Sequence, residues 1–252
     1  MTDETLLETR GLTKEFKGFV AVDNVDLRVK RGTIHALIGP NGAGKTTVFN
    51  LLTKFLPPTR GTIHYKGSDI TRDNPADVAR RGVIRSFQIS AVFPNLSVLE
   101  NVRVALQRKS TGSQFAFWKS DKTLDKLNDA ALAILDRVGL KDFAQVHAGA
   151  LAYGRKRTLE IATTLAMDPE MMLLDEPTAG MGHEDVDRVR DLIKEVAKGR
   201  TVLMVEHNMS VVSGICDIIT VLQRGAILAE GPYAEVARNP QVIEAYMGTT
   251  HA

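Results

Sequence analysis

The stretch Gly39-Pro40-Asn41-Gly42-Ala43-Gly44-Lys45-Thr46 fits the pattern G-x-x-x-x-G-K-[ST] at every fixed position. It follows the apolar run Ile34–Ile38 and precedes a segment with helical spacing of apolar residues that begins at Val48. Glycines are needed in such a loop because side chains would keep the backbone N–H groups from surrounding a phosphate. The order of strand, glycine-rich loop and helix therefore predicts a phosphate-binding loop in a nucleotide-binding protein.

Two side chains of this loop have expected roles. The ammonium of Lys45 is expected to reach the β- and γ-phosphates, and the hydroxyl of Thr46 to ligate Mg²⁺. The N-terminus of the following helix adds a favourable dipole for the anion. The sequence thus predicts a nucleotide and Mg²⁺ as cofactors. The residues expected to bind the nucleotide in this loop are Gly39, Pro40, Asn41, Gly42, Ala43, Gly44, Lys45, Thr46 and Thr47.

An acidic pair indicates hydrolysis. The buried-type strand Met171–Leu174 ends in Asp175 and Glu176. Asp175 is expected to hold Mg²⁺, usually through water, and Glu176 to orient and deprotonate the attacking water. The alternative is an acidic pair that only begins a solvated loop. The phosphate-binding loop in the same chain favours the catalytic interpretation.

A histidine follows another apolar run. His207 comes shortly after Thr201–Val205, and ligand groups collect at the carboxyl ends of strands in open α/β sheets. His207 is therefore a candidate to hydrogen-bond the γ-phosphate and the attacking water. The alternative, a structural role, stays open because a lone histidine after a strand is more often structural. The other five histidines are interpreted as structural.

The spacing of apolar residues predicts an α/β fold. Short β-type runs alternate with segments of helical periodicity, which implies parallel strand pairing. Near the N-terminus, Leu6–Thr9 and Gly61–Tyr65 instead read as short strands separated by turns. The middle of the chain is dominated by helical spacing, so we expect a helical lobe, at about residues 89–167, inserted into the α/β lobe. Within it, the segment around Trp118 is expected to be a surface connection held down by its aromatic residues, with a partner contact as the alternative.

Composition narrows the class of protein. The 252 residues are 44% hydrophobic and 25% charged, which is typical of a globular protein, and a net charge of +2 is too weak to indicate nucleic-acid binding. The longest uncharged stretch, Ser86–Leu99, is shorter than the roughly 20 apolar residues of a membrane-spanning helix. The acidic N-terminus lacks the order of a signal peptide. The single cysteine, Cys216, fits a reducing cytosol.

Together these motifs, in this order and with a helical insertion between them, resemble the nucleotide-binding subunits of ABC transporters over essentially the whole chain. The resemblance implies a single ABC ATPase domain at 1–252, with ATP as the nucleotide bound by the phosphate-binding loop. Its parts would be a RecA-like α/β lobe, an N-terminal antiparallel β subdomain, the inserted helical lobe and a tail helix at 240–248.

Further residues carry this resemblance and take their roles from it. Gln88 resembles the glutamine that touches Mg²⁺ and water and faces the membrane subunits. Phe16 resembles the aromatic residue that stacks on adenine, with a core phenylalanine as the alternative. A five-residue segment occupies the place of the signature, usually Leu-Ser-Gly-Gly-Gln, which acts on the ATP of the facing subunit. Its residues are Leu151, Ala152, Tyr153, Gly154 and Arg155.

The signature departs from the family pattern. Ala152 lacks the hydroxyl that would bind the γ-phosphate, and Tyr153 replaces the first glycine, whereas the backbone N–H groups of the helix N-terminus remain. The run Arg155-Lys156-Arg157 places three cations where they oppose the helix dipole, which favours a facing phosphate over a solvated charge run. Ala179–Gly182 stands where the family often has Ser-Ala-Leu-Asp. Because that aspartate is absent, the sequence does not indicate how the two subunits would be coupled through this segment.

Within the family, four features are similar to the larger ATPase of branched-chain amino acid importers. They are the signature Leu-Ala-Tyr-Gly, the run Glu206-His207-Asn208-Met209, the ending Val242–Gly248 and the extended segment around Trp118. The resemblance implies two permease subunits, a second ATPase as heterodimer partner (or a homodimer in isolation), and indirectly a periplasmic solute-binding protein. It also implies a peripheral location on the cytoplasmic face of the inner membrane, with amides or urea as related solutes.

Two alternatives are weighed against this interpretation. A lipopolysaccharide-export type of ABC ATPase has a similar length and tail, but the segment around Trp118 and the signature argue against it. An ABC-type ATPase without a permease tends to carry tandem units, coiled-coil insertions or a strongly basic face. None of these is evident in the sequence.

Overall fold

The computed structural model describes residues 4–86, 92–110 and 127–247. In chain order, the strands are β1 (Thr5–Phe16), β2 (Phe19–Val25), β3 (Arg28–Lys30), β4 (Ile34–Ile38), β5 (Arg60–Tyr65), β6 (Ser68–Asp69), β7 (Val83–Ser86), β8 (Met171–Asp175), β9 (Thr201–Val205), β10 (Ile218–Gln223) and β11 (Ala226–Gly231). Gln88, the segment around Trp118 and the end of the expected tail helix, Gly248, lie outside the described residues.

Helices occupy much of the rest of the described chain. They are α1 (Lys45–Leu52), α2 (Pro75–Arg80), α3 (Val98–Ser110), α4 (Asn128–Arg137), α5 (Tyr153–Ala166), α6 (His183–Val196), α7 (Met209–Ile215), α8 (Tyr233–Val236) and α9 (Pro240–Met247). Single 3₁₀ turns lie at Lys141–Phe143 and Ala148–Ala150. Helices α3, α4 and α5 follow β7, precede β8 and pack against one another.

The larger sheet has six strands in the order β11-β10-β4-β9-β8-β7. All neighbouring strands are parallel except β10 and β11, which form an antiparallel hairpin. The smaller sheet is antiparallel and is built around β1, which pairs with β2, β3 and β5. The strands that sequence patterning predicts near Leu6 and Ile63 belong to this second sheet.

Both faces of the larger sheet are covered, which explains its continuous apolar runs. Every residue of β4, β8 and β9 is buried. On one face Leu37 and Leu203 share a core with Phe49 of α1. On the other face Met204 shares a second core with Leu159 of α5, among others. A strand that contacts apolar layers on both sides has no solvent-facing positions, so its sequence does not alternate.

This topology brings three chain segments to one edge. In the central strands, Leu37 pairs with Val205, and Val205 pairs with Asp175 on the next strand. Because the strands are parallel, their carboxyl ends lie side by side. The phosphate-binding loop, the acidic pair and His207 follow these three ends in turn, so they meet at the same edge of the sheet.

Candidate functional site

The shape of the glycine-rich loop is fixed by the strands around it. Gly39 and Gly44 have φ angles of 148° and 100°, a region that other residues rarely adopt. A Cβ on Gly39 would lie 2.1 Å from the Leu222 carbonyl oxygen, and a Cβ on Gly44 would lie 2.5 Å from that of Ala21. Backbone from β10 and β2 therefore approaches the loop too closely for any side chain at these positions.

Lys45 lies inside this loop. Its side chain is buried, and Nζ donates to the carbonyl oxygens of Gly39 at 2.7 Å and Pro40 at 2.9 Å. Burial lowers the pKa of Lys45, and the carboxylates of Glu176 and Asp175 oppose that effect. A buried ammonium whose charge is incompletely compensated is suited to an anionic ligand, because a phosphate supplies the missing counter-charge.

The other residues of the loop differ in exposure. Asn41, Gly42 and Thr46 are exposed, whereas Ala43 is buried. Helix α1 begins at Lys45, with Gly44 as its N-cap and without a side-chain hydrogen bond to its first turn. The first N–H groups of α1 are thus left for a ligand, as expected for an anion site at a helix N-terminus.

Asp175, at the end of β8, is held by a cation that sequence reasoning missed. Arg85 of β7 forms a buried ion pair with Asp175, and its other terminal nitrogen donates to Asn50 Oδ1 at 2.6 Å. The Arg85 guanidinium also lies over the Phe49 ring, 5.7 Å from its centroid. This arrangement ties β7, β8 and α1 together beneath the loop.

Glu176 and His207, predicted from separate strands, are in direct contact. His207 Nε2 lies 2.9 Å from Glu176 Oε1, and both side chains are accessible from the edge of the sheet. Glu176 has a φ of 46°, unusual for a residue with a side chain, and its N–H donates to the Val205 carbonyl at 2.9 Å. The turn after β8 thus leaves the sheet and directs the carboxylate towards His207.

Glu206 is a buried carboxylate that joins the loops after β8 and β9, and it was also missed. One oxygen accepts hydrogen bonds from the Thr178 N–H at 3.1 Å and from the Thr178 hydroxyl. The other accepts from the N–H groups of His207 at 2.7 Å and Asn208 at 2.9 Å. A carboxylate directly after a fully buried strand was the available signal, because a buried charge requires donors.

We expect Glu206→Gln to lower the free energy of unfolding by about 1–3 kcal/mol. The amide turns its NH₂ group towards donors, so at least one buried hydrogen bond is lost. Denaturant unfolding followed by circular dichroism measures the change. Glu15→Gln, at an exposed position of β1, is the matched control. Equal stability of the two variants would contradict the bridging role of Glu206.

The signature segment lies at the start of α5. Leu151 is buried, Ala152 is an exposed N-cap without a side-chain hydrogen bond, and Tyr153 is exposed. Gly154 packs against Asp185, where a Cβ would lie 2.8 Å from the carboxyl carbon. Arg155 is exposed, and its guanidinium stacks over the Phe143 ring at 4.1 Å from the centroid.

The interpretation of Arg155-Lys156-Arg157 as three cations for a facing phosphate is wrong for Arg157. Arg157 is buried and its Nη1 donates to Glu160 Oε2 at 2.7 Å. The acid three residues later in the same helix is therefore its partner. Of the three cations, Arg155 and Lys156 remain accessible.

Phe16 is not a core residue. It is 42% exposed at the end of β1, where it pairs across the hairpin with Phe19, and Lys14 Nζ lies 5.1 Å from its ring centroid. Its ring is thus available to stack on a planar ligand. Gln88 is outside the described residues.

A cleft of about 540 Å³ borders the phosphate-binding loop. Asn41, the β10–β11 turn at Arg224 and Glu244 of α9 are among its lining residues. Burial raises the pKa of Tyr246, and a hydrogen bond with the Gly39 backbone opposes this effect. The last described helix therefore contacts the loop itself.

The described ranges contain neither a cluster of metal-ligating side chains nor a membrane-spanning helix. No group of three or more histidine, cysteine or acidic side chains is arranged to hold a metal ion in residues 4–86, 92–110 and 127–247. Across those same residues, no helix combines the length and apolar character required to span a membrane.

Comparison with known proteins identifies the family. The ABC transporter family model matches residues 22–179. The chain belongs to this family. It is therefore an ATPase, and the α/β fold of the ABC type predicted from the sequence is confirmed. A second family model, the branched-chain amino acid ATP-binding cassette transporter, matches residues 226–252 of this ABC ATPase.

Individual relatives align over nearly the whole chain. The high-affinity branched-chain amino acid transport ATP-binding protein BraF of Pseudomonas aeruginosa is 40% identical over 96% of this chain and 98% of its own length. The ADP conformation of an ATP-binding cassette of an ABC transporter has a TM-score of 0.83 and 30% identity, covering 97% and 99% of the two chains. A dimeric cassette with bound ADP and phosphate has a TM-score of 0.77 and 25% identity, covering 90% and 98%.

Proposed function

We propose that this ABC ATPase energises the import of branched-chain amino acids or of related solutes such as amides and urea. The observation that carries the proposal is the similarity to BraF, a high-affinity branched-chain amino acid transport ATP-binding protein that is 40% identical over 96% of the chain. The family model matched at residues 226–252 supports the same substrate class. A shared fold alone would not indicate a solute.

The residues present fit ATP and Mg²⁺. Backbone N–H groups of the loop and Lys45 bind the phosphates in this proposal, and Phe16 stacks on adenine. Thr46, Asp175 and Gln88 hold Mg²⁺, with Asp175 acting through water. Thr46 is exposed in the loop, and Asp175 ends β8 at the same edge of the sheet, which supports this assignment. When bound, Mg²⁺ neutralises charge on the phosphate oxygens.

Glu176, His207 and Gln88 form the catalytic group in our proposal. Glu176 orients the attacking water and accepts its proton, and His207 hydrogen-bonds the water and the γ-phosphate. The 2.9 Å contact between the two side chains supports this assignment, because each fixes the direction of the other. Gln88 contacts the water from the segment that faces the membrane partner.

Two ATPase subunits face each other head to tail in this proposal. The backbone N–H groups of Ala152, Tyr153 and Gly154 of one subunit contact the ATP bound to the other, together with Leu151 and Arg155. The exposed start of α5 supports this role, since its first N–H groups lack side-chain acceptors. The stacking of Arg155 on Phe143 holds a cation beside that helix start. The similarity to a dimeric cassette agrees with such pairing.

The partners are two membrane permeases, a second ABC ATPase and, indirectly, a periplasmic solute-binding protein. Two hollows support permease docking because residues that line them, Ile84 in one and Val92 in the other, flank Gln88 in the sequence. One, of about 270 Å³, is lined by residues such as Phe55 and Ile84. The other, of about 330 Å³, is lined by residues such as Val92, Pro94 and Tyr153. The chain then lies peripherally on the cytoplasmic face of the inner membrane.

Purification of a tagged chain from gently solubilised membranes tests this proposal. We expect two multispanning proteins and a second, shorter ATPase to co-purify with it. Phe55→Asp should reduce their recovery at least fivefold, because a charge in the hollow must be desolvated on docking. Ile243→Asp, which changes an exposed apolar residue of α9, should not. Recovery only from the soluble fraction, without a membrane partner, would contradict the transporter function.

A further inference from the structure

Tyr153 makes a contact within its own subunit that its place in the signature does not explain. Its hydroxyl donates a hydrogen bond to the carbonyl oxygen of Ala179 at 3.1 Å. Ala179 lies in the loop that follows Glu176. The residue at the start of α5 is thus bonded directly to the loop that carries the proposed catalytic carboxylate.

The loop is shaped to receive the tyrosine ring. Gly180, the next residue after Ala179, has a φ of 74°. A Cβ there would meet the Tyr153 ring at 3.7 Å, an ordinary van der Waals distance, so the ring is packed against this turn. At the position where the family often has Ser-Ala-Leu-Asp, this chain therefore has a turn against which the Tyr153 ring packs.

Short contacts lead from this hydrogen bond to Glu176. The Ala179 N–H donates to the Glu176 carbonyl at 3.1 Å. The carboxylate of Glu206 holds Thr178, between them, against the backbone of His207. A shift of the Ala179 carbonyl is therefore carried to both members of the Glu176–His207 pair.

The tyrosine is in turn held from beneath. Arg157 Nη2 donates to the Tyr153 hydroxyl at 3.5 Å, while Nη1 of the same residue is bonded to the buried Glu160. The arginine donor polarises the hydroxyl and strengthens its donation to Ala179. A phosphate-binding role does not account for the burial of Arg157. In this arrangement the buried arginine holds the Tyr153 hydroxyl in place.

We propose that Tyr153 is a positioning residue for the catalytic loop of its own subunit. Its hydroxyl fixes the turn at Ala179 and Gly180, and through that turn the direction of Glu176. The ring also lines the hollow of about 330 Å³ next to Val92, so a partner docked there contacts the same side chain. Tyr153 therefore connects the proposed docking surface to the catalytic loop. This inference rests on the proposed role of Glu176.

Tyr153→Phe isolates the hydroxyl because it keeps the ring. We expect kcat for ATP hydrolysis to fall about fivefold with KM for ATP unchanged, the effect of losing one hydrogen bond that orients the carboxylate. Tyr233→Phe, an exposed tyrosine of α8, is the matched control and should keep the parental kcat. An unchanged kcat in Tyr153→Phe, in an enzyme that Glu176→Gln inactivates, would overturn the inference. Full activity of Glu176→Gln would instead overturn the proposed site.

Mixing experiments separate a role within the subunit from a role towards the facing subunit. A small amount of active chain is mixed with an excess of Glu176→Gln chain, so that nearly every active chain pairs with an inactive one. Turnover then comes from the Glu176 carboxylate of the active chain. Tyr153→Phe in the active chain should lower this turnover about fivefold. Tyr153→Phe placed instead in the excess Glu176→Gln chain should leave it unchanged. The reverse pattern would assign the Tyr153 hydroxyl to the facing ATP and overturn the inference.

Hydrogen exchange of the nucleotide-free chain gives a test that does not require pairing. Amides of residues 176–182 should exchange about fivefold faster in Tyr153→Phe than in the unmodified chain, because one of the bonds that closes the loop is absent. Tyr233→Phe should match the unmodified chain. Equal exchange in all three proteins would overturn the positioning role.

Discussion

ATP turnover is expected to fall at least a hundredfold when Glu176 is replaced with glutamine, while ATP binding persists. The amide keeps the size of the side chain and its reach to His207, but it cannot accept a proton from water. Removal of a general base typically costs 10²–10⁴ in rate. Phosphate release measures turnover, and a fluorescent ATP analogue measures binding. The variant should also accumulate as an ATP-bound closed pair, which size-exclusion chromatography detects.

Glu184→Gln is the matched control for this prediction. Glu184 is an exposed acid in the first turn of α6, a short distance along the chain from Glu176. Its replacement should leave turnover within about twofold, since its charge is solvated. Normal turnover by Glu176→Gln would remove Glu176 from the catalytic role.

Replacing Lys45 with alanine is expected to weaken ATP binding about a hundredfold. The side chain supplies a charge-assisted hydrogen bond from a buried position, and such bonds contribute up to about 3 kcal/mol. Calorimetric titration with ATP measures the affinity. Because the ammonium also bonds the Gly39 and Pro40 carbonyls, a thermal melt of the variant must accompany the titration.

Lys194→Ala serves as the control for Lys45→Ala. Lys194 is an exposed lysine in the last turn of α6, and its loss removes the same charge from a residue outside the loop. Its ATP affinity should match that of the unmodified chain. An unchanged affinity in a folded Lys45→Ala protein would contradict the assignment of the phosphate site.

Patterns within single segments were sufficient to predict the framework of the site. The largely apolar runs Ile34–Ile38, Met171–Leu174 and Thr201–Val205 predict buried parallel strands, and the structure contains each of them. Once the strands are parallel, the residues after them must share an edge. The contact between Glu176 and His207, 31 positions apart in sequence, follows from that rule.

Pairings between distant segments were not predictable in the same way. The partner of Asp175 is Arg85, which lies 90 positions earlier on a neighbouring strand. Nothing in the sequence near either residue specifies their pairing, because it depends on the strand order β9-β8-β7. The bond from Tyr153 to Ala179 likewise depends on how α5 packs beside the sheet.

The error at Arg157 has a different cause, since its partner was within reach of sequence reasoning. Glu160 lies three residues later in a predicted helix, a spacing at which opposite charges meet. The prediction for Arg155-Lys156-Arg157 rests only on the position of these cations at the helix start. The apolar residues around it, Leu159 and Ile161, indicated that this part of α5 is buried.

Uptake of radiolabelled leucine by whole cells tests the central claim most directly. Cells that lack this chain are supplied with either the unmodified chain or Glu176→Gln, expressed at equal levels. We expect the unmodified chain to restore leucine uptake and Glu176→Gln to leave it at the level of the deficient cells. Equal uptake in deficient, restored and Glu176→Gln cells would contradict branched-chain amino acid import.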